Sequence, residues 1–113
     1  IKSVQDNGLN VVWCCDPMHG NTIKAKNYKT RVFDNILKEI SLFWEICQKF
    51  NVHPGGVHLE LTRSSVTECI GGEAGLTVDD LPINYSTNCD PRLNADQALE
   101  MAFKISNILK GHF

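Results

Sequence analysis

Three residues that lie far apart in this chain, His19, Glu60 and Asp90, share one trait: each stands at or near the end of an expected strand with a group able to hold a cation. The run VVWCCDPMHGNT, residues 11–22, passes from a greasy stretch into Asp16, His19 and Asn21 within a few positions. A surface turn calls for Asp, Pro, Gly or Asn, but has no need of a histidine. Glu60 stands in GVHLELT and Asp90 in CDPRLN. One imidazole and two carboxylates from separate strands suit a divalent ion of the manganese, iron or cobalt type, with coordination positions left open for substrate. His58, two residues before Glu60 and on the same strand face, is placed to orient a ligand from outside. Each residue also has a plainer explanation. His19 bonds to backbone, Asp16 and Asp90 each begin a turn before proline, and Glu60 pairs with an arginine.

The elements that must carry these groups can be read from periodicity. Asn7 and Gly8 close a short first helix. Residues 10–15, NVVWCC, are apolar on both faces, as in a parallel sheet covered on each side. The stretch NTIKAKNYKTR reads as a basic loop. Apolar residues at 33, 36, 37, 40, 43, 44, 47 and 50 give one face of a helix over residues 31–50. NVHPGG ends it, and a strand follows over 57–62, with Val57, Leu59 and Leu61 on one face and His58, Glu60 and Thr62 on the other. A turn-rich segment with a short helix, residues 64–82, leads to a third strand at 84–89 that Asp90 and Pro91 end. Asn94 and Gln97 resemble a capping box for a last helix, whose buried stripe is Ala95, Ala98, Leu99, Ala102, Ile105 and Leu109 and which stops near Gly111. Strand and helix alternate, so the fold class is α/β with parallel βα units. In such folds ligands gather at the carboxyl ends of the strands, where these polar clusters fall.

Composition narrows the function classes. With 113 residues, 42% of them hydrophobic, and a net charge of −2, the chain is material for one compact domain. Lysines and arginines alternate with acids, so nothing suggests nucleic acid. No apolar run approaches the roughly 20 residues of a membrane span, and no signal peptide is visible, which points to the cytoplasm. The five cysteines, at 14, 15, 47, 69 and 89, show no CxxC pair and read as reduced, mostly buried thiols. Asn84-Tyr85-Ser86 matches a glycosylation acceptor, a tripeptide common by chance. His53 and His112 read as surface histidines. The first residue is Ile1, which suggests a processed chain or a piece of a longer one.

Five ordered blocks then become recognisable: DPMHGNT (16–22), KTRVFDNIL (29–37), GGVHLELT (55–62), VTECIGG (66–72) and CDPRLN with QALEMAF (89–94, 97–103). Together they resemble the carboxyl-terminal part of type II 3-deoxy-D-arabino-heptulosonate 7-phosphate (DAHP) synthase. The resemblance implies about three βα units of a (β/α)8 barrel that opens the shikimate pathway by condensing phosphoenolpyruvate with erythrose 4-phosphate. It implies a metal held by a cysteine, a histidine, a glutamate and an aspartate, the last three matching His19, Glu60 and Asp90. Mn2+ is the expected ion, with Co2+, Fe2+ or Zn2+ as alternatives. It would polarise the sugar aldehyde for attack by the enol carbon of phosphoenolpyruvate, after which water adds and phosphate leaves. Asp16 and Asn21 would shape the loop that presents His19.

The same resemblance exposes what the chain lacks. The family's cysteine ligand and most of its phosphoenolpyruvate-binding lysines and arginines belong to the first part of the full-length enzyme, and Cys14, Cys15 and Cys89 are poor substitutes. Lys24, Lys29 and Arg31 are candidates for phosphate contact at the rim. Arg63 stands where the family pattern has glycine and either lines the phosphate region or faces water, and Arg92 either braces Asp90 or touches substrate. Residues 1–113 are then a single partial domain, since about 250 residues is typical for the barrel. Open edges would seek the missing amino-terminal part or a second copy. Two other readings stay open: a non-catalytic remnant serving as a binding or regulatory module, and a phenazine-type relative in secondary metabolism. A plant source would place the protein in the plastid.

Overall fold

The computed structural model describes residues 1–111; His112 lies outside the described residues. In chain order the elements are α1 (Lys2–Asp6), β1 (Trp13–Cys15), β2 (Ile23–Ala25), β3 (Tyr28–Thr30), α2 (Phe33–Lys49), β4 (Pro54–Val57) and α3 (Ala95–Leu109). Two 3-10 turns, His19–Asn21 and Val78–Ile83, complete the set. β1 and β4 pair in parallel, and β2 and β3 form an antiparallel hairpin. Isolated parallel bridges join Val32 to Ile70 and Leu61 to Leu93. This is a mixed α/β arrangement with parallel strands, as the alternation predicted.

α2 forms because its apolar residues recur every three to four positions. Phe33, Ile36, Ile40 and Cys47 are buried along one side. Phe33, Ile36 and Ile40 meet Met18, Cys69, Leu93, Met101 and Ile108 in one core, with Leu37, Trp44, Val57, Leu59 and Ile105 partly buried around it. Each such side chain contributes about 1.5–3 kcal/mol by leaving water. α3 begins as predicted: the Asn94 side chain accepts from the Gln97 backbone N–H at 2.8 Å, and Gln97 Oε1 accepts from the Asn94 N–H at 3.0 Å. It ends at Leu109, with Gly111 at φ +78° beyond the cap. β4 lies so close to β1 that a Cβ on Gly55 would stand 2.8 Å from the Trp13 carbonyl oxygen, which explains a glycine inside a strand.

Four expectations need correction. No strand forms at 84–89. Its backbone donors are taken by side chains: Asn84 N–H bonds Thr67 Oγ1, Cys89 N–H bonds Thr87 Oγ1, and the Ser86 and Thr87 N–H groups bond Glu68 Oε2. A segment rich in Asn, Ser and Thr offers its backbone local alternatives to a ladder. The second strand begins earlier than expected, at Pro54, and continues beyond Val57 only as single pairings, His58 N–H to Cys15 O and the Leu61–Leu93 bridge. Residues 10–12 lie outside β1, and Val11 and Val12 are exposed (Val12 78%), because among the described residues β1 pairs with β4 alone. The basic loop is a hairpin over 23–30, turned at Lys26 with φ 54°. Among the described residues no helix is long and apolar enough to cross a membrane.

Candidate metal centre

β1 delivers the first part of the site. Just beyond Cys15 the Asp16 carboxylate folds the chain back on itself: Oδ1 accepts the backbone N–H groups of Met18 (3.0 Å) and His19 (3.2 Å), an Asx turn. Its other oxygen, Oδ2, lies 2.6 Å from His19 Nδ1. Burial pushes the Asp16 carboxyl up, but the Met18 and His19 N–H groups and the His19 ring outweigh it and hold it below the usual carboxylate value. Asn21 Nδ2 ties the loop down by donating to Pro17 O (2.7 Å) and Glu39 Oε2 (2.6 Å). Met18, fully buried, anchors the turn in the core and places its sulfur 2.9 Å from the Glu60 N–H.

Glu60 and Asp90 arrive from the other two segments. Glu60 Oε2 is held at 2.5 Å by Arg31 Nη1, which also donates to Pro91 O at 2.6 Å, while Arg31 Nε donates to Thr22 Oγ1 at 3.0 Å. Arg31 is wholly buried, and its Nη2 has no hydrogen-bond partner among the described residues. The opposite oxygen, Glu60 Oε1, is left 3.5 Å from His19 Nε2. Asp90 Oδ2 is 3.9 Å from the same nitrogen, and Oδ1 is 3.3 Å from Lys29 Nζ. The Lys29 bond, foremost, holds the Asp90 carboxyl below its usual value, against desolvation and with help from Arg31 and the Cys89 thiol. One atom each of His19, Glu60 and Asp90 lies within 4.8 Å of the others. Ligands about 2.1 Å from a common ion can stand at most about 4.2 Å apart, so the measured 3.5 and 3.9 Å spacings suit a shared cation. The donor set, one imidazole nitrogen and two carboxylate oxygens, is that of a hard to borderline divalent metal.

Comparison with known proteins shows the family. The family model described as the class-II DAHP synthetase family matches residues 1–106. The chain belongs to the class-II DAHP synthetase family. Phospho-2-dehydro-3-deoxyheptonate aldolase AroG of Mycolicibacterium smegmatis is 48% identical over 111 residues, covering 97% of this chain and 24% of that protein. Phospho-2-dehydro-3-deoxyheptonate aldolase of Streptomyces coelicolor is 46% identical over 111 residues, covering 97% of this chain and 25% of that protein. The chain thus spans about a quarter of the length of the curated relatives it matches.

Within this member of the class-II DAHP synthetase family the remaining expected site residues fall in several places. His58 is exposed and stacks beside His19, ring centroids 6.2 Å apart and planes 22° from parallel, rather than bonding a carboxylate. Lys24 is exposed and faces Lys29 across the hairpin. Lys29, expected to contact phosphate, leans on Asp90 and takes the bracing role that was one of the two offered for Arg92. Arg92 is exposed, and among the described residues neither it nor Arg63 makes an ion pair. Arg31, expected at a phosphate-facing rim, is instead the buried arginine that pairs with Glu60. All five cysteines are free; Cys14 and Cys89 are exposed and three are buried. Burial pushes the Cys15 thiol up to about 11 and that of Cys69 to about 12, so neither offers a thiolate at neutral pH.

Sequence reasoning missed two features of this neighbourhood. One is the identity of Glu60's arginine, 29 positions back in the chain, where no periodicity connects the two. The other is Glu68, almost wholly buried, whose carboxylate accepts backbone N–H groups of Ser86, Thr87 and Arg92. The available signal was a single charge inside the otherwise uncharged run VTECI.

Proposed function

We propose that this chain forms the metal-holding rim of a DAHP synthase, condensing phosphoenolpyruvate with erythrose 4-phosphate. The observation that carries the reading is the convergence of His19, Glu60 and Asp90, from three separate segments, on one space. These three residues would hold the metal, for which Mn2+ fits the oxygen-rich donor set, with Co2+, Fe2+ or Zn2+ as alternatives. When bound, the ion supplies Lewis acidity toward the sugar aldehyde oxygen. Asp16 fixes the His19 ring through Nδ1 and leaves Nε2 free to ligate. Arg31 occupies one oxygen of Glu60, so that the other is presented to the site. Lys24 and Lys29, like charges side by side on the hairpin, offer a place for a phosphate oxygen, and Arg63 and Arg92 remain exposed cations near that rim. The enol carbon of phosphoenolpyruvate bonds to the aldehyde carbon, water adds at the carbon left electron-poor, and inorganic phosphate departs.

The reading extends to architecture. Residues 1–113 are one partial domain of a (β/α)8 barrel, and the rest of the barrel, or another copy of the chain, covers the exposed Leu9, Val11, Val12 and Leu61. That remainder also contributes the cysteine ligand. The bacterial relatives and the cofactor chemistry fit work in the cytoplasm.

The test combines binding and turnover. Mn2+ titrated into the protein should bind, and binding should fall at least about tenfold in Asp90→Asn. Joined by the complementary part of the barrel, the chain should catalyse consumption of both substrates, and Glu60→Gln or His19→Ala should abolish it. Unchanged Mn2+ binding in Asp90→Asn removes that carboxylate from the site.

A further inference from the structure

Asp90 stands on a segment that has no sheet ladder to hold it. Between Asn84 and Leu93 the chain is irregular, yet a metal-binding carboxylate must sit within about 0.5 Å of its working position. The hydrogen bonds around it show where the rigidity comes from. Glu68 Oε2 accepts from Ser86 N–H at 3.0 Å and from Thr87 N–H at 2.9 Å, and Oε1 accepts from Arg92 N–H at 2.9 Å. One carboxylate therefore grips the backbone on both sides of Asp90. On the neighbouring residue, the Pro91 carbonyl is held by Arg31. Glu68 is itself fixed, since its own carbonyl accepts from Thr30 Oγ1 at 2.8 Å, one residue before Arg31. A carboxylate this deeply buried is tolerated only with such a set of donors, and it is an expensive choice for a loop that needed no particular position.

We propose that Glu68 is a positioning residue for the metal centre, holding the Asp90 segment in the place a third strand was expected to fill. Together with Arg31 it makes one frame for two ligands: Arg31 bonds Glu60 and Pro91, and Glu68 bonds the backbone on either side of Asp90. The proposal rests on the metal reading above. It assigns no contact between Glu68 and substrate or cation.

Glu68→Gln isolates the role. The amide keeps the shape but presents one acceptor oxygen and one NH2 donor to three N–H groups, so at least one N–H loses its partner and confronts another donor. Isothermal titration with Mn2+ on the wild type, Glu68→Gln, Asp90→Asn and the double variant gives a cycle. The expected result is a 10- to 100-fold weaker affinity in Glu68→Gln, with little further loss when Asp90 is already Asn. Ile108→Val, a buried change in α3, serves as the control: it should lower thermal stability and leave Mn2+ affinity alone. If Glu68→Gln does not fold, Glu68→Asp, too short to span both groups of donors, is read in the same way. Wild-type Mn2+ affinity in folded Glu68→Gln, or fully additive losses in the cycle, overturns the proposal. A wild type that binds no Mn2+ refutes the metal site itself, and this role with it.

Discussion

Asp16→Asn is the sharpest probe of how the imidazole is set. The native carboxylate uses both oxygens, one for the Met18 and His19 N–H groups at 3.0 and 3.2 Å and one for His19 Nδ1 at 2.6 Å. A neutral His19 then carries its proton on Nδ1 and keeps the Nε2 lone pair directed toward Glu60 and Asp90. Asparagine has one acceptor and one donor where aspartate has two acceptors. If its oxygen keeps the two backbone bonds, the NH2 meets Nδ1, which must accept, and the proton moves to Nε2, where it blocks ligation. If the amide turns over, the ring is satisfied but the NH2 confronts two backbone donors, losing two bonds of about 0.5–1.5 kcal/mol each. The second route costs about 1–3 kcal/mol, so the expected outcome is roughly a 5- to 150-fold loss of cation affinity. Calorimetric titration with Mn2+ reads this directly, with Asp79→Asn, an exposed partner of Lys26, as the control. A folded Asp16→Asn protein that binds Mn2+ as the wild type does would refute the argument that Asp16 sets the tautomer.

Two further outcomes follow from burial. Arg31→Met strands the Glu60 carboxylate and the Pro91 carbonyl, and breaking a buried pair costs about 3–5 kcal/mol. The melting temperature should then fall by more than about 10 °C in a scanning calorimeter, and a fall below about 3 °C would contradict it. Thiol labelling at pH 8 should modify Cys14 and Cys89 in the folded protein and Cys15, Cys47 and Cys69 only after denaturation, so a third rapidly reacting thiol would count against the packing. Cys15 and Cys69 are raised by burial to about 11 and about 12. Their contribution to stability is therefore complete below the unfolded thiol value near pH 8.5 and is lost as pH climbs through 11 and 12. Urea midpoints should decline across that alkaline range.

The existence of the two long helices was legible because their causes are local, but the buried face of α3 was not: the expected Leu99 and Leu109 are exposed, and Met101 and Ile108 are buried in their stead. The spacing of Phe33, Ile36, Ile40 and Cys47 defines a face of α2 whatever it packs on, and Asn94 with Gln97 writes the start of α3 in four residues. The hairpin at 23–30 was not legible, since its six strand residues alternate too weakly and its turn uses Lys26 in place of the usual glycine. Nor was the absence of a strand at 84–89, because it depends on Glu68, some twenty positions away, competing for the backbone donors.

The sequence by itself singled out His19, Glu60 and Asp90 as candidate ligands, because local pattern is enough to find a polar break near the end of an expected strand, although the strand expected before Asp90 does not form. Tertiary structure alone decided the partners. Arg31 turned inward to Glu60, Lys29 reached Asp90 and Glu68 took three backbone donors, all across 18 to 61 positions of chain. The physical reason is that periodicity records which face of an element is buried, whereas a buried charge is settled only by whatever opposite charge or donor the folded chain brings within about 3 Å.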